Sequence, residues 1–129
     1  MSISVDHVVE SYHHSLIQWG EECDRASDAD PSRGAHEFGM AEAFYSLLRD
    51  EPEGRVGIDA LRGDANPYVR LMASAHSVPW ASDDAVAVIE EVAHSAESPE
   101  RLRRTAAGLL DAWRAGALGG VAAPVEGRA

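Results

Sequence analysis

Six histidines and 22 acidic residues supply most of the side chains in this 129-residue chain that could move protons or hold metals. His7, Glu10 and His14 share one face of a helix, and imidazole with carboxylate suits zinc or nickel. His7 and His14 lie two turns apart, however, roughly 10 Å along the axis, too far to grip one ion without a bend. The metalloprotease spacing, two histidines at i and i+4 with a glutamate between, is absent. An exposed polar face accounts for these residues, and no metal or cofactor is expected.

His76 stands on an apolar helical stripe. It reads as a core or boundary histidine with one satisfied hydrogen bond; proton transfer there would require a carboxylate partner and a cleft. Cys23, the single cysteine, falls on the apolar stripe of the first helix and reads as a small packed residue, because Glu21, Glu22 and Asp24 oppose its ionisation. Alone, it forms no intrachain disulfide and no cysteine-based zinc site. Asp83-Asp84 and Glu90-Glu91 are paired carboxylates. Consecutive helical residues point apart, so they read as solvated acids, and Asp83 and Asp84 also suit a helix start. Trp80, following Pro79, reads either as a plug for the core or as an anchor on a binding surface. Trp80, Asp83, Asp84, Glu90 and Glu91 are therefore the candidate partner-binding residues. No Gly-x-Ser-x-Gly elbow, Walker loop or dinucleotide fingerprint occurs, and no catalytic residue is assigned.

The elements that carry these residues are helical. Val5, Val8, Val9, Tyr12, Leu16, Trp19 and Cys23 make one stripe over about Val5 to Asp24. A polar loop with Pro31 and Gly34 follows. A second helix is predicted from Ala35 to Asp50, closed by Pro52 and Gly54, and a third from Arg55 to Arg62. Asn66 as cap and Pro67 at the first position open a fourth, which Pro79 is expected to stop. Ser82 suits the cap of a fifth, whose Ala85, Val88, Ile89, Val92 and Ala93 fit the amphipathic template. Ser98 as cap and Pro99 open a sixth, with Leu102, Ala106, Leu109, Leu110 and Trp113 as its core stripe and Gly116 just past its end. Residues 1–118 are expected to form one domain, and 119–129 a disordered tail.

Charge narrows the partners. Eleven basic residues, all arginine, stand against 22 acids, for a net charge of -11. That balance argues against nucleic acid, which needs cations to neutralise phosphates. It suits either plain solubility or attraction of a basic partner. No stretch approaches the roughly 18 apolar residues of a membrane span. The N-terminal residues, with Asp6 and Glu10, do not read as a signal peptide. A cytoplasmic protein is the expectation.

Pro67 to Pro99 spans 32 residues, and Arg70 to Arg103 and Ala73 to Ala106 span 33 each, a weak internal repeat in the range of helical solenoids. The run Asp64-Ala65-Asn66-Pro67-Tyr68-Val69-Arg70, with Ala73 and Ala75, resembles the HEAT-repeat signature. The second unit keeps Pro99, Leu102, Arg103 and Ala106 but has Ala96 where the aspartate would stand. From Gly34 to Leu118 the chain resembles an uncharacterised bacterial family of short HEAT-like proteins, a domain of unknown function. The matching segments are Ala41 to Leu48, Asn66 to His76 and Trp113 to Leu118. The resemblance implies an all-α fold: a short right-handed superhelix of HEAT/armadillo-like antiparallel hairpins, about six helices. It also implies that the aspartate and arginine bond between helices and neighbouring repeats. The functional expectation is a protein-binding module, in its sharpest form an immunity or antitoxin-like inhibitor of a basic toxin. The alternatives are a self-associating structural protein, such as a homodimer, and an enzyme without a recognisable motif.

Overall fold

Asn66 opens a helix as its side chain predicts. Its Oδ1 accepts from the backbone N–H groups of Tyr68 (2.9 Å) and Val69 (3.3 Å), satisfying two donors that the first turn cannot pair. Asp64 Oδ2 in turn accepts from the Asn66 N–H. The computed structural model describes residues 4–25 and 34–116. Among them are five helices and no strand: α1 (Val5–Arg25), α2 (Ala35–Leu48), α3 (Pro52–Leu61), α4 (Pro67–His94) and α5 (Glu100–Arg114). Most of the loop expected before Gly34, and the tail expected after Leu118, lie outside the described residues.

Three boundaries differ from expectation, each for a local reason. Pro52 does not close the second helix but opens α3 at its first turn, where a missing N–H costs nothing. Gly54 follows there because the turn brings α3 onto the end of α2: a Cβ at residue 54 would sit 2.2 Å from the Leu48 carbonyl oxygen. Pro79 does not stop α4. It removes one hydrogen bond, and the chain kinks two residues later at Ala81 (φ −146°, ψ 49°) before helix resumes. Trp80 is thus inside α4 at the kink rather than in a loop, and Ser82 is just beyond it. Finally, α5 starts at Glu100 with Pro99 as its cap. Ser98 is buried, and its carbonyl accepts from Arg103 Nη1 at 2.6 Å. Gly116 takes the left-handed conformation (φ 81°) just past α5, as expected.

The most extensive packing joins α1 to α2 and α4 to α5, with α3 set against α4, α1 and α2. Two apolar clusters result. One gathers Val8, Tyr12 and Leu16 of α1, Ala41, Tyr45 and Leu48 of α2, Ile58, and the first turns of α4. The other joins Leu71, Val78, Val86, Ile89 and Val92 of α4 to Leu102, Ala106 and Leu110 of α5. Trp19 and Leu109 touch both clusters. The eight residues from Leu71 to Val78 are all buried, so this part of α4 is enclosed on every side and forms the hub of the molecule. α1 can approach it closely at Gly20, where a Cβ would lie 2.7 Å from the Tyr68 ring.

Candidate functional site

The hub carries His76 into a cleft of about 490 Å³. Helical spacing assembles the walls. Phe38, Glu42 and Tyr45 recur at intervals of four and three along α2, with Arg49 at its C-cap, Met72 and His76 lie one turn apart on α4, and Thr105 and Leu109 one turn apart on α5. Trp19 of α1 completes the lining, with its ring 5.6 Å from that of Phe38. The Tyr45 ring stacks on the His76 imidazole, 4.1 Å between centroids and 13° from parallel.

Both imidazole nitrogens are engaged. The Tyr12 hydroxyl is 2.6 Å from Nδ1, and Glu42 Oε2 is 2.7 Å from Nε2. Tyr12 is completely buried, and among the described residues Nδ1 is the only hydrogen-bond partner of its hydroxyl. The proton must therefore point to His76, because a buried hydroxyl without an acceptor is costly. Nδ1 is then the acceptor from Tyr12, and Nε2–H donates to Glu42. The chain Tyr12→His76→Glu42 runs outward from core to cleft and ends on a carboxylate.

Charge follows the same direction. Burial pushes the Tyr12 hydroxyl well above its ordinary value, with the Glu42 and Tyr45 side chains adding to the effect, so it stays a donor. The hydrogen bond from His76 holds the Glu42 carboxyl below its ordinary range; partial burial opposes this, and the electrostatic effects of His76 and then Arg49 assist it. Tyr45 is pushed up by burial, against the pull of Arg49. The guanidinium of Arg49 lies 5.7 Å from the Tyr45 ring centre. Glu42 is the partly exposed member of the chain, its side chain 45% accessible. The arrangement is a fixed anion on an aromatic wall. Its lowered pKa makes Glu42 a weaker base than an ordinary carboxylate.

The candidates singled out from sequence are not gathered at this cleft. Asp83, Asp84, Glu90 and Glu91 are exposed on the far half of α4, and Asp84 lies 4.0 Å from Arg62. Trp80 is half-buried and held in place. Its indole N–H donates to Asp59 Oδ1 at 2.9 Å, and the Arg55 guanidinium lies 4.9 Å over its ring. His7, Glu10 and His14 are exposed on α1. No group of three potential metal ligands occurs among the described residues. Cys23 is partly buried, and burial raises its thiol pKa; Arg101 opposes the rise, while Asp24 and Glu22 add to it. Trp113, expected in the core, is 37% exposed at the last turn of α5. The stripe that includes Leu102, Ala106 and Leu110 is buried against α4, and Trp113 lies at its outer end.

His76 is legible in the sequence, as is its need for a carboxylate and a cleft, but its partner Glu42 is not. The available signal was a carboxylate at helical spacing between Phe38 and Tyr45, on the apolar face of α2. Arg70 and Arg103, matched by the internal repeat, do equivalent work. Arg70 donates to the Asp64 carbonyl and Arg103 to that of Ser98, each tying its helix to the turn before it. Asp64 is bonded to the Asn66 N–H and lies 3.2 Å from His13 Nε2. No helix among the described residues is long and apolar enough to cross a membrane. Compared with family models, with curated proteins and with solved structures, the chain has no match.

Proposed function

We propose that the protein is a short HEAT-like helical module that binds another protein, one of basic character, through an acid-rich exterior. The observation that carries this reading is where the opposite charges go. The chain carries a net charge of -11, and several of its arginines, though none among the described residues is fully buried, are held by donating to carbonyls and side chains of their own fold. Arg55 donates to the Arg49 carbonyl, Arg70 to that of Asp64, Arg101 to that of Cys23 and Arg103 to that of Ser98. Arg62 is bonded to Asp59 and Ser77. Asp83, Glu90 and Glu91 stay exposed. The resulting field attracts a cationic surface and speeds its encounter. The two dominant helix pairings and the matched roles of Arg70 and Arg103 support stacked hairpins as the frame. The sharpest form is an inhibitor of the immunity or antitoxin kind, covering the basic active site of a nuclease-type toxin.

The test is capture from the native host at low salt, comparing the protein with a D83N/D84N/E90Q/E91Q variant. The expected result is a basic protein that is released as salt rises and is retained weakly by the variant. Retention that ignores both salt and the four substitutions overturns the reading.

Self-association is a second reading, favoured by Leu47 and Val56, which are 60% and 67% exposed on α2 and α3. Light scattering across a concentration series separates the two: a stable dimer that L47S/V56S dissociates supports self-association, and a monomer throughout rules it out.

A further inference from the structure

We propose that the cleft between α1, α2, α4 and α5 is a binding site for a small organic cation, whose N–H-bearing head seats on the Glu42 carboxylate and whose apolar body lies against Trp19 and Phe38. The site is distinct from the acidic exterior of α4 and stands whether or not that exterior binds a protein. Its volume of about 490 Å³ falls in the range of small-ligand pockets, as does its makeup of apolar walls with few, convergent polar groups.

The chemistry of the head group follows from the hydrogen-bond chain. Tyr12 donates to His76, and His76 donates to one oxygen of Glu42. Every proton in the chain points toward the carboxylate, which therefore has acceptor capacity left and no proton to give. A ligand that presents a donor is matched; one that presents a second acceptor is not. The carboxylate stands beside aromatic faces, which attract cations through their quadrupole. The preference is therefore for a charged donor over a neutral one. Arg49 bounds the site at the Tyr45 side. It repels a cation from that end and confines the head group to Glu42, so the two charges act on a ligand with opposite sign.

That opposition supplies the test. The probes are 2-phenylethylamine, protonated at neutral pH, and its neutral analogue 2-phenylethanol, titrated at low salt and followed by the indole and aromatic resonances of the protein. The amine is expected to shift the Trp19 and Phe38 signals and to bind at least about tenfold more tightly than the alcohol, the preference expected of one charged hydrogen bond. Glu42→Gln should abolish that preference, and Arg49→Gln should tighten the amine without affecting the alcohol. Thr105→Trp, which fills the cleft but leaves the Tyr12–His76–Glu42 chain intact, should block the amine; it keeps the question answerable if the Glu42 variant folds poorly. Equal binding of amine and alcohol, or failure of the amine to perturb Trp19, overturns the proposal. So does an Arg49 variant that weakens the amine. If an arginine- or lysine-containing peptide shifts these resonances while the free amine does not, the cleft is a docking surface for a protein instead, and the proposal falls.

Discussion

Tyr12 and His76, 64 residues apart in the chain, meet through a 2.6 Å hydrogen bond enclosed in the core. The contact ties α1 to the hub helix α4 and fixes the tautomer of the imidazole. A buried polar pair of this kind is stable only while both members are present, since either alone keeps the cost of its own desolvation. Tyr12→Phe retains the ring and removes only the oxygen, leaving Nδ1 of His76 without a partner. The expected loss is about 1–3 kcal/mol of unfolding free energy, read from urea denaturation followed by circular dichroism. A loss below about 0.5 kcal/mol, within the range of an ordinary surface substitution, would refute the buried bond.

Glu42 sets a pH dependence with a definite sign. The hydrogen bond from His76 holds its carboxyl below the ordinary value of 4.5 in the folded protein, and unfolding releases it to that value. A group depressed in the folded state contributes its full stabilisation above the unfolded value. That contribution is lost as pH falls through the unfolded value toward the folded one. Stability should therefore decline from about pH 4.5 downward more steeply in the native protein than in Glu42→Gln, which has no carboxyl to titrate. Stability curves of the two proteins that run parallel between pH 5 and pH 3 would contradict the assignment.

What the chain's pattern made legible, and what it did not, divides along sequence distance. The stripes of α1 and the second half of α4, the Asn66-Pro67 start and the Gly116 stop all depend on neighbours within one or two turns, and all appear where their spacing places them. Trp113 misled because periodicity shows which face a residue shares but not how far the partner helix extends. Pro52 misled because proline is equally suited to follow one helix and to begin the next. The join of Glu42 to His76 crosses 34 residues, and no local rule specifies which of many glutamates a buried histidine will meet. That pairing is a product of how α2 and α4 pack. It became visible only with the packing.

The α2–α3 corner makes a sharp demand at one position. A Cβ at residue 54 would approach the Leu48 carbonyl oxygen to 2.2 Å and its carbonyl carbon to 2.8 Å. Both obstacles are backbone, so no side chain can swing aside to relieve the overlap. Gly54→Ala, ordinarily favourable inside a helix by up to about 1 kcal/mol, should instead destabilise by about 1–3 kcal/mol as α3 is pushed away from α2. Gly63→Ala offers the contrast, because the nearest atom to its Cβ would be 3.9 Å away. Thermal melts in which the Gly54 variant matches the native protein would show that the corner is not so close.

Along α5 the cost of truncation should fall off toward its C-terminal end. Leu110 is 3% exposed and packs with Ile89 and Val92 of α4, whereas Trp113, the larger residue and next along the same stripe, is 37% exposed. Size alone would make the tryptophan the more damaging loss, since full burial of a large aromatic removes more apolar area from water. Burial reverses the order. Leu110→Ala deletes methyl groups from an enclosed site, leaves a cavity and should cost about 2–5 kcal/mol. Trp113→Ser removes a side chain already in contact with water and should cost about 1 kcal/mol or less. Urea midpoints for the two variants give the comparison directly: a Trp113 variant less stable than the Leu110 variant would mean that the indole is covered by part of the chain or by a partner.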